Sequence, residues 1–225
     1  MLNPVQQNIL VLAVYGIVLA FVFYQMWVDL DEFVSVKLDQ EALKRDLEGQ
    51  NLEDLVEIES KFDDLYKPEQ LKAIALTIKN KCPKETLFIN WERSTLNDLK
   101  GESRRVIRMV PGMKVDLSQP QVFGLVAPGQ TLKEKITAEP CLKPKGDGSL
   151  ELAKPLFKAD GLLKAAKKGD RVTLRLILEF SQPTVGVHNT SLHPISCQFK
   201  FSKTPLARAM YWEGKPRKNQ KGKGQ

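Results

Sequence analysis

The chain has 225 residues, of which 42% are hydrophobic and 8% aromatic, a composition that suits one ordinary domain and argues against disorder throughout. Its net charge of +7 is uneven, because residues 1–66 hold 4 Lys/Arg and 13 Asp/Glu, net −9, whereas residues 67–225 hold 30 and 14, net +16. A basic body favours anionic partners such as lipid headgroups, RNA or an acidic protein face, although excess charge also serves solubility alone.

The first predicted element is a membrane-spanning helix within an anchor of residues 1–28. Of the 20 residues from Ile9 to Val28 only Gln25 is strongly polar, and residues 2–28 hold no charged side chain. At about 1.5 Å per residue this stretch spans about 30 Å, the thickness of the hydrocarbon core. The backbone must be hydrogen-bonded internally there, so we expect a helix.

Three alternatives to a spanning helix fit the sequence less well. A cleaved signal peptide needs a basic start and a small-residue cleavage site, and neither occurs in this segment. A lipoprotein anchor needs a cysteine after the apolar run, and none follows there. A buried core helix fits poorly with the length and the lack of charge. We therefore expect a single-pass membrane protein.

The side of the membrane that holds the body is predicted from basic residues and cysteines. Lys37, Lys44 and Arg45 follow the apolar helix, whereas the N-terminal flank has no basic side chain, so the positive-inside rule favours a cytoplasmic body. The three cysteines are odd in number and widely spaced, which suits reduced thiols better than a disulfide framework.

Residues 29–66 form an acidic segment that we predict to be a helical neck, divided into two short helices near Gly49. Its apolar residues recur at spacings near three and four: Leu43, Leu47, Leu52, Leu55, Val56, Phe62 and Leu65. One interpretation is a spacer or coiled-coil surface; the favoured one is a pair of amphipathic helices that pack on their own domain, since no heptad seam is sustained. Val34, Val36 and Leu38 alternate, so a brief strand there is also compatible with the sequence.

Residues 67–213 change to a period of two, which indicates β-strands. The clearest strand runs from Arg171 to Phe180, where every second residue is apolar. Similar alternation occurs at Lys72–Asn80, Leu87–Trp91, Arg104–Val110, Gln121–Val126, Leu132–Ala138 and Ile195–Ser202, and turn signals separate these runs. One or two helical turns are expected at Leu162–Lys168.

These observations predict a mainly β fold: a transmembrane helix, a short helical neck and an immunoglobulin-like antiparallel β-sandwich. A parallel α/β sheet is disfavoured, because helical crossovers of adequate length are missing between most strands.

Residues 214–225 are predicted to be a disordered basic tail, because they hold cations with no acid and no apolar side chain. The cations are the candidate contacts to an anionic surface: Lys215, Arg217, Lys218, Lys221 and Lys223. They could attract an anionic bilayer or bind RNA phosphates, but the segment is equally compatible with a solubilising tail.

The sequence contains no pattern that predicts catalysis, a cofactor or a metal. His188, His193 and Cys197 have the spacing H-x4-H-x3-C, which superficially resembles a metal site. We expect instead a core cysteine, with His193–Pro194 at a loop-to-strand junction. Neither phosphate-binding glycine pattern occurs, and the acidic pair Asp63–Asp64 is expected to be solvated charge.

Residues 74–136 resemble a β-sandwich pattern of bacterial envelope proteins and lipoproteins of unknown function, and the anchored basic body is similar to cyanobacterial membrane proteins. The matching residues are Asn80, Trp91, Ser94, Asp98, Gly101, Arg105, Val106, Ile107, Pro128 and Gly129. The chain departs from the pattern in having an apolar helix in place of a lipid-anchored cysteine. The resemblance implies an architecture and no activity.

We therefore predict an interaction module, anchored in a membrane, that is a subunit or an assembly or scaffold factor of a membrane complex. The alternative is a binder of RNA, ribosomes or lipid headgroups through the basic tail. An enzyme is the least compatible reading, because no set of residues suggests a reaction.

Overall fold

A computed structural model of the chain describes residues 3–30, 33–63, 66–110, 117, 119–145, 150–181 and 190–203. The described residues divide into two compact units, residues 3–30 and the described residues between 33 and 203. We describe the first through its helix and the second, called the body below, through its sheet. The predicted basic tail lies outside the described residues.

The helix of the first unit, α1, runs from Pro4 to Leu30. Its stretch Val5–Gln25, 21 residues, is long and apolar enough to cross a membrane, and none of it is buried inside the protein. The predicted apolar N-terminal helix is therefore confirmed, and an exposed rather than core position fits a segment surrounded by lipid.

Within the described residues the body contains eleven strands, two α-helices and two short 3₁₀ turns. The strands are β1 (Val34–Leu38), β2 (Val56–Lys61), β3 (Ile74–Asn80), β4 (Thr86–Asn97), β5 (Ser103–Met109), β6 (Gly124–Val126), β7 (Thr131–Ala138), β8 (Leu142–Pro144), β9 (Leu150–Leu152), β10 (Arg171–Ser181) and β11 (Thr190–Lys203). The helices are α2 (Gln40–Gly49) and α3 (Ala159–Lys168), and the 3₁₀ turns are Pro68–Gln70 and Glu139–Cys141.

The main sheet is antiparallel, with the strand order β1-β11-β10-β4-β5-β7-β3-β2, and β6 pairs with β4 beside this path. We call β1, β11, β10, β4 and β6 the first half and β7, β3 and β2 the second half. Strand β5 joins them, because Ser103–Arg105 pair with β4 and Val106–Met109 pair with β7. The sheet is thus continuous and nearly barrel-like.

The prediction of a mainly antiparallel β fold is confirmed, and the immunoglobulin-like arrangement is not. Such a domain has two separate sheets packed face to face. Here one hydrogen-bonded path runs through β5 from one half to the other.

The core forms where the alternating apolar faces of the strands meet. In β10 the predicted core face is buried, from Val172 at 2% exposure to Leu178 at 0%, and Cys197 and Phe199 of β11 lie in register beside it. Trp91 is also fully buried. Each large apolar side chain buried here contributes about 1.5–3 kcal/mol relative to exposure.

The predicted helical neck needs correction. Strand β1 pairs with β11 and β2 pairs with β3, so both belong to the body's sheet. Helix α2 matches the first predicted helix and buries Leu43 and Leu47. The second predicted helix is wrong, because Val56 and Ile58 are buried alternately with more exposed glutamates, the burial pattern of a strand.

Gly124 allows the indole of Trp91 to approach the backbone of β6. A Cβ atom at Gly124 would lie 2.9 Å from Trp91 Nε1 and 3.0 Å from Leu132 Cδ2. Both distances are too short for an unshifted core, so only a residue without a side chain fits there.

We expect Gly124→Ala to lower the free energy of unfolding by about 1–3 kcal/mol through overpacking. The matched control is Gly49→Ala, at the end of α2, where an added Cβ meets no atom within 4 Å. The control should leave stability unchanged or raise it by about 0.4–1 kcal/mol. Denaturant unfolding of the solubilised full chain, followed by tryptophan fluorescence, measures both; equal values for the two variants would contradict the packing argument.

Candidate interaction surface

A bulge in β4 divides the outer face of the first half into two regions. Thr95 pairs with Arg175, but the next pair is Asn90 with Ile177, so residues 91–94 of β4 face the single residue Leu176 of β10. Ser94 Oγ donates to the Asn90 carbonyl at 2.6 Å and accepts from Ile177 N at 3.2 Å. The hydroxyl thus bridges the backbone groups that the bulge separates.

On one side of the bulge, four neighbouring strands place their side chains in a single row across the sheet. Leu125 of β6 is opposite Phe88 of β4, Phe88 is opposite Glu179 of β10, and Glu179 is opposite Leu192 of β11. Leu125 is 59% exposed and Leu192 is 51% exposed, while Phe88 is partly exposed. We call Leu125, Phe88 and Leu192 the apolar row.

Two further exposed apolar side chains precede Leu125 in the chain. Val122 is 65% exposed and Phe123 is 45% exposed. Their position is fixed by Gln121, whose side chain accepts from Arg108 N at 2.9 Å and donates to the Val106 carbonyl at 2.7 Å. The amide of Gln121 therefore occupies the edge of β5 in the way that a neighbouring strand would.

Helix α2 covers part of the free edge of β11. Asp46 Oδ2 accepts from Ser196 N at 2.6 Å, and Gln50 Nε2 donates to the Pro194 carbonyl at 2.8 Å. Pro194 has no N–H of its own, which suits an edge position. Backbone groups of β11 from Pro194 to Ser196 are thus occupied by the side chains of Asp46 in α2 and of Gln50, which directly follows α2, and an added strand would have to displace them.

The polar residues among those that carry the sequence resemblance have structural roles. Asn80 is fully buried, and its Nδ2 donates to the carbonyls of Glu85 and Val126 at 2.8 and 3.0 Å. Asp98 accepts from the N–H groups of Lys100 and Glu102 in the turn before β5. These contacts stabilise turns and the bulge, so the resemblance reports on architecture.

Asp98 also forms an ion pair with Arg104 at 2.7 Å, beside a pocket of about 280 Å³ at the start of α3. Burial alone would raise the pKa of the Asp98 carboxyl, but the hydrogen bonds from the Lys100 and Glu102 amides and the charge of Arg104 outweigh it and lower that pKa.

The predicted metal-like triplet is only partly described, since His188 lies outside the described residues. The loop-to-strand position predicted for His193–Pro194 is wrong, because both lie inside β11, where the His193 ring packs edge-on against Phe180 at 5.9 Å. Cys197 is fully buried in the core, as predicted. No three His, Cys, Asp or Glu side chains among the described residues are placed to hold a metal ion.

Comparisons with protein-family models, curated proteins and solved structures give no match to this chain. The tail cations, from Lys215 to Lys223, lie outside the described residues and stay a prediction.

The ion pair of Asp98 predicts a dependence of stability on pH. A carboxyl with a lowered pKa in the folded state stabilises the protein above its unfolded pKa of about 3.9, and this contribution is lost as pH falls through the folded value. We expect Asp98→Asn to cost about 1–3 kcal/mol at pH 7, because buried donors lose their charged acceptor. Below pH 4 the stabilities of wild type and variant should converge.

Denaturant titrations of the full chain at pH 7, 5 and 3 measure this. Glu102→Gln is the control, because that residue is exposed and bonds to Asp98 through its backbone N–H and carbonyl, which the substitution keeps. A constant difference between wild type and Asp98→Asn at all three pH values would contradict the assigned role of the charge.

Proposed function

We propose that the chain is a membrane-anchored interaction module, a subunit or an assembly or scaffold factor of a membrane complex, that binds a protein partner through the apolar row. The observation that carries the proposal is the register of Leu125, Phe88 and Leu192 across four neighbouring strands, with both leucines more than half exposed. We propose binding rather than catalysis as the activity.

The apolar row has the properties of an interface core. Its side chains lie in one register row on the same sheet face, with Glu179 between Phe88 and Leu192, so one partner surface could cover them together. Exposed apolar side chains that stand singly are ordinary on protein surfaces, whereas contiguous ones mark contact sites. Glu179 within the row accepts from Asn90 Nδ2 at 2.9 Å, so its charge is held in place on the same face.

The mode of binding that we propose is face-to-face contact. Strand addition at β11 is disfavoured between Pro194 and Ser196, where the side chains of α2 occupy the edge. We propose that the two halves of the sheet support this face in the manner of an immunoglobulin-like sandwich, with a rigid core behind an exposed sheet surface.

We further propose that α1 anchors the protein in the membrane and that the body lies in the cytoplasm. The length and apolar exposure of α1 support the first part. The second is supported by Cys82, Cys141 and Cys197, which are all buried and unpaired, as expected in a reducing compartment.

Replacement of the apolar row should abolish partner binding without unfolding the body. A partner protein should co-purify in stoichiometric amount with the wild type from gently solubilised, nuclease-treated membranes. We expect this protein to be absent when the double variant Leu125→Asp, Leu192→Asp is purified in the same way. A charge buried in an interface core without a partner group costs several kcal/mol, enough for at least a hundredfold loss of affinity. Thr131→Asp, an exposed position on β7, is the control and should keep the partner.

Photo-crosslinking tests whether the partner contacts the apolar row itself. A benzoylphenylalanine at position 125 or 192 should crosslink one and the same protein in the membrane, and the same probe at position 131 should not. Crosslinks from position 131 alone would overturn the proposed surface. If the co-purifying material is removed by nuclease, or by deletion of residues 214–225, the basic tail is the binding element instead.

Cysteine labelling should report the side of the membrane. Burial raises the pKa of the Cys197 thiol to about 12, and the other two thiols are also buried, so the folded wild type should react little with maleimides. We expect an impermeant maleimide on intact cells to label Asn3→Cys and to spare Lys133→Cys. Both should react after the membrane is opened; the reverse pattern in intact cells would place the body outside the cytoplasm.

A further inference from the structure

On the other side of the β4 bulge from the apolar row, the outer face of the first half holds a polar groove of about 540 Å³. This is within the range of small-molecule sites, about 300–1,000 Å³. The strands β4, β5, β10 and β11 form its floor, and α2 forms one wall. The lining residues that matter for binding are Asp46, Gln50, Thr95, Ser103, Arg175 and Ser196.

Arg175 lines this groove and its side chain is exposed to solvent. In the sheet register it is opposite Thr95 on one side and Ser196 on the other. Its cross-strand neighbours are thus short hydroxyl side chains and not acidic ones that could pair with it. With the described residues the side chain of Arg175 forms no hydrogen bond or ion pair, whereas four other arginine side chains of the sheet are ion-paired: Arg104, Arg105, Arg108 and Arg171.

The wall of the groove is held rigidly. Asp46 and Gln50 bond to the backbone of β11 at 2.6 and 2.8 Å, so α2 keeps its distance from the sheet without any ligand. The side chains of Thr95, Ser103 and Ser196 on the floor are short, so they leave space for a ligand beside α2. A site that is formed in advance loses little conformational entropy when a ligand binds.

The chemistry of the lining indicates what the groove accepts. A guanidinium binds a carboxylate in a bidentate way, and the surrounding hydroxyl and amide groups match ligand hydroxyls. One cation and one acid, Arg175 and Asp46, make the lining neutral, which disfavours a doubly charged phosphate. The lining has no aromatic side chain, which disfavours a stacked nucleobase.

We propose that the groove binds a hydroxylated monocarboxylate, the chemistry of a sugar acid, with its carboxylate on Arg175 and its hydroxyls on the groove's hydroxyl and amide side chains. The source is either a free sugar acid or an acidic residue of a glycan. This site shares no residue with the apolar row, so its test does not depend on the proposed protein partner.

The test is calorimetric titration of the solubilised full chain with galacturonate, galactose, trigalacturonate and inorganic phosphate. We expect galacturonate to bind at least about tenfold more tightly than galactose or phosphate, because only the sugar acid satisfies both the guanidinium and the hydroxyls. If trigalacturonate binds more tightly than galacturonate, the ligand is an acidic residue of a glycan. If the two bind equally, the ligand is a free sugar acid, and both outcomes support the site.

Variants locate the binding. Arg175→Gln should weaken galacturonate binding at least about tenfold, whereas Arg93→Gln, an exposed arginine in the bulge, should leave it unchanged. Thr95→Val keeps the shape of the floor and the charge of Arg175 while removing one hydroxyl, and it should weaken binding severalfold. Absence of saturable galacturonate binding, equal affinity for galactose, or an unchanged affinity in folded Arg175→Gln would each overturn the proposal. Partner capture by Arg175→Gln should match the wild type.

Discussion

The turn of β5 from one half of the sheet to the other is the constraint on which the body depends. At the point where the pairing changes from β4 to β7, Val106 lies in the main core and Ile107 is buried as well. Arg105 stabilises this point, because its guanidinium forms an ion pair with Glu92 at 2.7 Å and donates to the Leu117 carbonyl at 3.0 Å. The continuous path through β5 gives both halves a common support.

The same strand explains why the fold could be predicted in outline and not in topology. Most strands were predictable, since burial of one face imposes a period of two that β10 shows over its whole length. The joining of the halves depends on a change of partner between residues 105 and 106, and no local pattern records which strands are neighbours.

The misassigned segment has a different cause. The alternation of Val34, Val36 and Leu38 did indicate β1, but β2 has only six residues, too few for alternation to outweigh the leucines at helical spacing. Their stability comes from distant partners, because Val36 lies opposite Phe201 and Ile58 lies opposite Ile78. Tertiary pairing therefore decides the conformation of this segment, as is usual for strands.

The candidate surface was the least predictable feature, since its residues come from four separate parts of the chain and only the register brings them together. Nothing in the sequence around Leu125 or Leu192 distinguishes an exposed leucine from a core one. The bulge at residues 91–94 also divides this face into two regions. By inserting extra residues in one strand only, it separates the row of Leu125, Phe88 and Leu192 from the pair Thr95–Arg175. The apolar row and the polar groove therefore lie on one sheet face without sharing a side chain, so a substitution in one leaves the side chains of the other unchanged.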